Sequence, residues 1–301
     1  MKITNNSNLP EPFVRALKND PYTKEGSTFS VTEIIDSPRI AALKRMYGDS
    51  VEMDAEDAFY LLLGRAVHNV LDNANPDRHT AEKRLHTNVD GHSLSGQMDL
   101  CYIDNGFASI EDYKITSVWS IIYNPKGKQE WENQLNCYAA IAERESEVIV
   151  NSLKVYAILR DYSKRDAKTK HDYPKSSIVE IPIKLWDKQE REDYIRARVA
   201  IHASTLGITN EELLPECTAY ERWEKPPVYA VHEIKSDGKP KVRATRLFDN
   251  NPSAESFIRG MNKKATVIYR PGESTRCAEW CNFSEVCSQY KKIRESNGRK
   301  L

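Results

Sequence analysis

Two acids and a lysine on neighbouring strand-like runs could do chemistry in this chain. Ser95-Gly96-Gln97-Met98-Asp99-Leu100 leads, through an apolar turn, to Ile110-Glu111-Asp112-Tyr113-Lys114, and the two runs read as a hairpin carrying Asp99, Asp112 and Lys114 to one end. Carboxylate oxygens are hard ligands for Mg²⁺, and an ammonium can orient a water or offset developing negative charge. That set suits phosphodiester cleavage. The acid-x-Lys triplet is weak on its own, because 44 acids in 301 residues give roughly three or four such triplets by chance. The chain has four, starting at Asp112, Asp166, Glu233 and Asp237. Only the first lies in a strand-like run, residues 107–115, about a dozen residues after another strand-borne acid.

The elements that must position this trio follow from patterning. Residues 29–47 read as a helix start, with Ser30 three residues before Glu33 in a capping-box arrangement. Residues 55–71 form a second helical run carrying His68 in its C-terminal half, closed by a loop over 73–78. Residues 82–89, 93–103 and 107–115 read as three consecutive strands, the last two joined by the turn signal Asp104-Asn105-Gly106. Residues 129–145 are helical and 152–161 give a fourth strand. This order predicts an α/β core, a mixed β-sheet flanked by helices. A charged loop over 164–175 and a long helix over 185–206 follow. From about residue 207, Pro215, Pro226, Pro227, Pro240, Pro252 and Pro271 with four of the six cysteines mark a small, loop-rich region that needs a staple. The expected division is an N-terminal extension over 1–29, a core over 30–206 and a Cys-rich region over 207–301.

With 40% hydrophobic and 29% charged residues, the composition is that of a globular protein with one main domain and an appendage. Met1 to Asn8 lack the apolar stretch of a secretion signal, and no run approaches the roughly 18 apolar residues of a membrane span. A cytoplasmic protein with no membrane partner is expected. Net charge is zero, so any nucleic-acid surface must be a local patch. Arg160, Lys164, Arg165, Lys168, Lys170 and Lys175 form one such run, and Lys235, Lys239, Lys241, Arg243 and Arg246 another. Either could track phosphates or be a solvated face. Trp119, Tyr123 and Trp131 could stack unpaired bases, with core packing the alternative for at least one.

Four motifs in fixed order resemble the PD-(D/E)XK nucleases, and within them the RecB-like branch with an iron–sulfur appendage, which includes forms carried by phages. Gly64-Arg65-Ala66-Val67-His68 resembles the branch's G-x-x-x-H, and Gly96-Gln97-Met98-Asp99 its G-x-x-D. Asp112-Tyr113-Lys114 resembles its D-x-K, and Gln134-Leu135-Asn136-Cys137-Tyr138 its Q-x-x-x-Y. The resemblance covers residues 30–205, with residues 217–287 as the appendage. It implies a restriction-endonuclease-like core in which Asp99 and Asp112 are metal ligands, His68 is a further ligand, Lys114 is the catalytic lysine, and Gln134 and Tyr138 act near the scissile phosphate. The residues themselves agree in part. Gln134 and Tyr138, four apart on a helix, share a face. The Tyr113 carbonyl could add an oxygen, and Glu82 could help place a second ion. Glu111 alternates to the opposite strand face. Taken singly, each residue also has a plain reading: His68 as a core or surface histidine, the acids and Lys114 as solvated, Tyr138 as a core aromatic.

The second constellation is Cys277-x3-Cys281-x5-Cys287, with Cys217 about 60 residues earlier. Four soft thiolates suit an iron–sulfur cluster or zinc, and in a reducing cytoplasm disulfides are the poorer alternative. The resemblance implies a 4Fe-4S cluster on these four cysteines. The relatives show C-x-x-C-x5-C, and in several the first cysteine precedes the nuclease motifs, so both the x3 spacing and the place of Cys217 depart from the pattern and keep zinc, or neither, as alternatives. Cys101 and Cys137 read as buried small apolar residues.

The expectation is a Mg²⁺- or Mn²⁺-dependent deoxyribonuclease, an exonuclease on single-stranded or end-containing DNA, serving recombination, repair or processing with a partner protein the sequence does not identify. The competing expectation is a catalytically silent module of nuclease fold that binds DNA or assembles, with a metal-stapled tail.

Overall fold

The computed structural model describes residues 1–19, 23–74, 79–81 and 84–296. The chain divides into two compact units, Met1–Ile208 and Thr209–Leu301.

The first unit is a mixed α/β structure. Strand β1 (Lys2–Thr4) precedes helix α1 (Glu11–Lys18) and pairs in parallel with β3 (Glu52–Asp54). Between them lie β2 (Phe29–Ser30), α2 (Val31–Ile34) and α3 (Pro38–Tyr47). Ser30 caps α2 through a bond from the Glu33 amide, as its spacing predicts, but the helix lasts one turn. Ser37 and Pro38 then start α3 afresh, because proline fits the first helical turn and not a helix interior. Helix α4 (Phe59–Asp72) follows.

Strands β4 (His79–Ala81), β5 (Arg84–Val89), β6 (His92–Gln97), β7 (Leu100–Asp104), β8 (Phe107–Thr116), β9 (Ile149–Leu159) and β10 (Ile178–Ile183) form two sheets. One has the order β2-β6-β5 and the other β10-β9-β8-β7-β4. The single strand expected over 93–103 is therefore two strands in different sheets, and Met98-Asp99 is the joint between them. The β7–β8 hairpin turns on Asn105 and Gly106, both at positive φ (49° and 83°), as a two-residue turn demands. Strands β8 and β9 are parallel, joined by α5 (Val118–Tyr123) and α6 (Gln129–Glu145), since parallel neighbours need a crossover.

Helix α6 contacts strands of both sheets, and from Trp131 to Ala142 every residue except Glu132 is buried. This stretch is buried all round, its polar Asn133, Gln134 and Asn136 included. Trp131 is 4% exposed, so it packs there and cannot stack bases. Asn136 is fully buried and satisfied: its amide donates to the Glu132 and Lys184 carbonyls, and its oxygen accepts from the Trp186 amide. The loop expected over 164–175 contains helix α7 (Lys164–Thr169), capped by Ser163. Helix α8 (Lys188–Ala203) opens with a capping box from Asp187 and Glu190. Strand β10, which the sequence reading did not separate, carries Pro182 at the sheet edge, where a missing amide costs least.

The second unit has a two-stranded pair, β11 (Glu224–Lys225) with β15 (Glu273–Ser274), and an antiparallel sheet of β12 (Val228–Glu233), β13 (Arg246–Phe248) and β14 (Ala265–Arg270). Helix α9 (Asn251–Arg259) packs on that sheet, Phe257 meeting Phe248 with ring centroids 5.3 Å apart. Helices α10 (Thr275–Glu279) and α11 (Ser288–Ser296) close the described chain. Among the basic residues expected to form a patch here, Lys241 binds Glu233 at 2.7 Å and Arg246 lies over Phe248 and Phe257. Among the described residues, no helix is long and apolar enough to cross a membrane.

Candidate active site

One cavity of about 430 Å³ in the first unit is lined by both end residues of all four motifs: Gly64 and His68, Gly96 and Asp99, Asp112 and Lys114, Gln134 and Tyr138. Each motif arrives on a different element. Helix α4 brings Gly64 and His68 one turn apart on one face. Alternation along β8 puts Asp112 and Lys114 on the same side of the strand. Asp99 sits in the joint between the sheets. On α6, the Gln134 side-chain amide donates to the Tyr138 hydroxyl at 2.8 Å.

The two glycines serve differently. A Cβ on Gly96 would stand 3.0 Å from Tyr138 Cδ1 and 3.2 Å from Ile141 Cδ1, so glycine there lets β6 meet α6 closely. A Cβ on Gly64 would meet nothing within 4 Å among the described residues. Packing does not require that glycine, which weakens α4, and its open side is the cavity.

The charged groups partner one another. Asp112 is 1% exposed, and its Oδ2 stands 2.6 Å from Lys114 Nζ. The ammonium is thus the partner of this buried oxygen. Burial pushes the Asp112 carboxyl up to about 6, the Lys114 ammonium opposing and the Asp99 charge adding to the rise. Burial alone would lower Lys114, but Asp112 and Asp99 outweigh it and hold the ammonium above its ordinary value. Asp99 Oδ1 is 3.3 Å from His68 Nδ1, and this bond raises the imidazole's pKa against the pull of burial. Asp99 Oδ2 accepts the Tyr113 amide at 2.9 Å. In an extended strand a residue's N–H and C=O address the same neighbour, so the Tyr113 carbonyl lies on the edge of β8 that faces Asp99.

Among the described residues, no three His, Cys, Asp or Glu side chains stand at metal-holding distances. The donor types nonetheless fit a hard divalent ion: the Asp99 and Asp112 carboxylates, the His68 imidazole and a backbone oxygen, all on one cavity. Glu82 lies outside the described residues.

Several cavity residues had no motif to announce them. Arg84, its side chain 6% exposed, binds Ser95 Oγ at 3.2 Å and the Gln97 side-chain oxygen. Arg65, Ser30 and Thr32 also line the cavity. Arg65 stood inside a quoted motif as a variable position; for Arg84 the only signal was its place in a strand of alternating burial.

The basic run is divided. The Arg160 guanidinium lies 4.1 Å over the ring of Tyr60, itself a cavity residue. Lys164 and Lys168 line a separate cleft with Tyr162, Lys175, Ser176 and Ser177. Lys170 pairs with Asp166 at 3.1 Å, and Arg165 lies on α7.

In the second unit, Cys217 and Cys287 are buried and Cys277 and Cys281 half-buried. Burial pushes the Cys277 thiol up to about 12, with Cys281, Cys217 and Cys287 near enough to add to the rise, but among the described residues they do not form a group at metal-holding distances. The Gln289 side chain braces Cys217 from both sides, accepting from its amide at 2.8 Å and donating to its carbonyl at 2.9 Å. By ligand type alone, four soft donors suit zinc or an iron–sulfur cluster. Cys101 and Cys137 are buried in the core of the first unit.

No protein-family model matches the chain, and no curated protein matches it. Among solved structures, that titled "Crystal structure of SSO0001" is similar with a TM-score of 0.43 and 16% sequence identity, over 64% of this chain and 82% of that one.

Proposed function

We propose that this protein is a metal-dependent deoxyribonuclease with a PD-(D/E)XK core of the RecB-like type, acting on single-stranded or end-containing DNA in recombination, repair or processing. The observation that carries this reading is the convergence of all four motifs on one cavity. Asp99, Asp112, His68 and the Tyr113 carbonyl would hold Mg²⁺ or Mn²⁺. When bound, such an ion neutralises charge on the phosphoryl oxygens and makes water a better nucleophile. Lys114, kept protonated by Asp112 and Asp99, orients the attacking water in line with the leaving oxygen. Gln134 and Tyr138, already bonded to each other, offer an amide and a hydroxyl to the phosphate. The water oxygen joins phosphorus as the bond to the leaving sugar oxygen breaks, the water releasing a proton to solvent and the leaving oxygen taking one up from it. The four cysteines of the second unit would hold a 4Fe-4S cluster, with zinc as the alternative, and so hold that unit together.

The test is cleavage of end-labelled linear and closed circular single-stranded DNA in Mg²⁺ or Mn²⁺, using anaerobically purified protein beside Lys114→Ala. Metal-dependent cutting lost in the variant supports the nuclease, and sparing of the circle makes it an exonuclease. A folded, metal-loaded protein that binds DNA without cutting it would turn the reading to the silent module. One observation favours that second reading: the carboxylates are engaged by Lys114 and His68, with no trio at ligand distance among the described residues.

A further inference from the structure

Two large aromatic side chains stand exposed on α5, the helix that follows the strand carrying Asp112 and Lys114. Trp119 is 53% and Tyr123 76% exposed, and their rings stack at a centroid distance of 6.0 Å and an interplanar angle of 26°. Their helix, α5, is anchored by Val118 and Ile121, which are buried, so positions 119 and 123, four apart, share the outward face. Its first amide is held by Asp161 Oδ1 at 2.7 Å. The adjacent Arg160 amide donates to Thr116 at 3.0 Å, at the end of the strand that carries Asp112 and Lys114. The Arg160 side chain lies 4.1 Å over Tyr60, a wall of the cavity. The segment that carries Arg160 thus touches both the cavity wall, at Tyr60, and the start of α5, and Lys126, exposed, lies three residues after Tyr123.

A protein partner would also accept exposed aromatics, but Arg160, whose backbone borders the start of α5, and Lys126, three residues past Tyr123, add positive charge near the pair along the chain, which favours a polyanion. Arg160 makes no ion pair among the described residues, and a flat ring face with cations near it is the arrangement that holds bases and phosphates of an unpaired strand. We propose that Trp119 and Tyr123 form a base-stacking platform which, bridged to the cavity by Arg160 and Tyr60, holds unpaired nucleotides of a single strand running to or from the site. The ligand class rests on the nuclease reading; the platform itself rests on the ring geometry.

The test uses the full-length protein in chelator, where no cutting can occur, and two fluorescein-labelled probes: an oligothymidine strand and an abasic strand of equal length. Trp119→Ala and Tyr123→Ala are each expected to weaken oligothymidine binding about tenfold, a loss of one stacking contact, and to leave the abasic strand unchanged. Trp119→Phe is expected to keep most of the affinity. Equal loss for both probes, no loss for either, or no binding of oligothymidine by the wild type would overturn the platform. If Trp119→Ala lowers the thermal midpoint, the more exposed Tyr123→Ala decides. Base-dependent binding without metal-dependent cutting would leave the platform standing and remove the nuclease. Cutting with unaltered oligothymidine affinity in both variants would do the reverse.

Discussion

Asp112 and Lys114 are each other's counter-charge, with Oδ2 and Nζ 2.6 Å apart and the carboxylate almost wholly buried. Removing one partner of a buried pair strands the other charge, at about 3–5 kcal/mol. Lys114→Ala is therefore expected to lower the thermal midpoint as well as abolish cleavage, and Lys114→Ala with Asp112→Asn to recover much of the midpoint while staying inactive. A double-mutant cycle by thermal denaturation reads the coupling, and additive losses would contradict the pairing.

Gly64→Ala separates stability from activity. The added methyl enters open space, and alanine in a helix interior is favoured over glycine by about 0.5–1 kcal/mol. The variant is expected to melt higher than the wild type and to cleave more slowly, its methyl projecting into the cavity. Paired measurement of the thermal midpoint and kcat/KM checks both signs, and a variant with unchanged kcat/KM would show that substrate does not approach α4 there.

His202 gives the fold an acid limit. Its Nε2–H donates to the Asp36 carbonyl at 3.1 Å, and among the described residues Nδ1 has no partner. Burial, with Arg198 beside it, pushes the imidazole down to about 4. The folded state thus resists a proton that the unfolded chain accepts near pH 6.5. This contribution is full above about pH 6.5 and is lost as pH falls toward 4, on the order of 3 kcal/mol in all. Urea unfolding across that range should show the decline in the wild type and a flatter profile in His202→Gln.

The proposed metal staple predicts that stripping the second unit of metal destabilises it. With burial and neighbouring thiols raising Cys277, metal-free protein holds that thiol protonated at neutral pH, and a metal bound there must displace its proton. Cys281→Ala is expected to lose bound iron or zinc and to lower the melting temperature. Elemental analysis beside calorimetry reads both, and unchanged metal content with an unchanged midpoint would refute the staple.

Much of the site was legible because regular elements convert spacing into direction. Gln134 and Tyr138 meet because four residues make about one helical turn, and residues 129–145 coincide with α6. Asp112 and Lys114 share a side because strands alternate. The joint at Met98-Asp99 was not legible, because the strand-like pattern runs through it and only the pairing shows that β6 and β7 belong to different sheets. Strand β10 was hidden by Pro182, a breaker except at an edge. The buried place of Trp131 follows from α6 contacting both sheets, which no local pattern encodes. Arg84 was silent because a buried guanidinium depends on partners brought from β6, Ser95 and Gln97.

The bond from the Tyr113 amide to Asp99 Oδ2 makes one side chain a substitute rung of the β-ladder. Strand β7 ends its pairing with β8 at Leu100 and Glu111, and the carboxylate supplies the next acceptor. Charge and oxygen at this position are therefore separable. Asparagine keeps an acceptor and removes the charge, whereas alanine removes both and leaves the edge of β8 to fray. The Tyr113 amide proton becomes a built-in reporter of the site. Its hydrogen–deuterium exchange should stay slow in Asp99→Asn, quicken in Asp99→Ala, and shift on addition of Mn²⁺ or Mg²⁺ as Asp99 is drawn toward the ion.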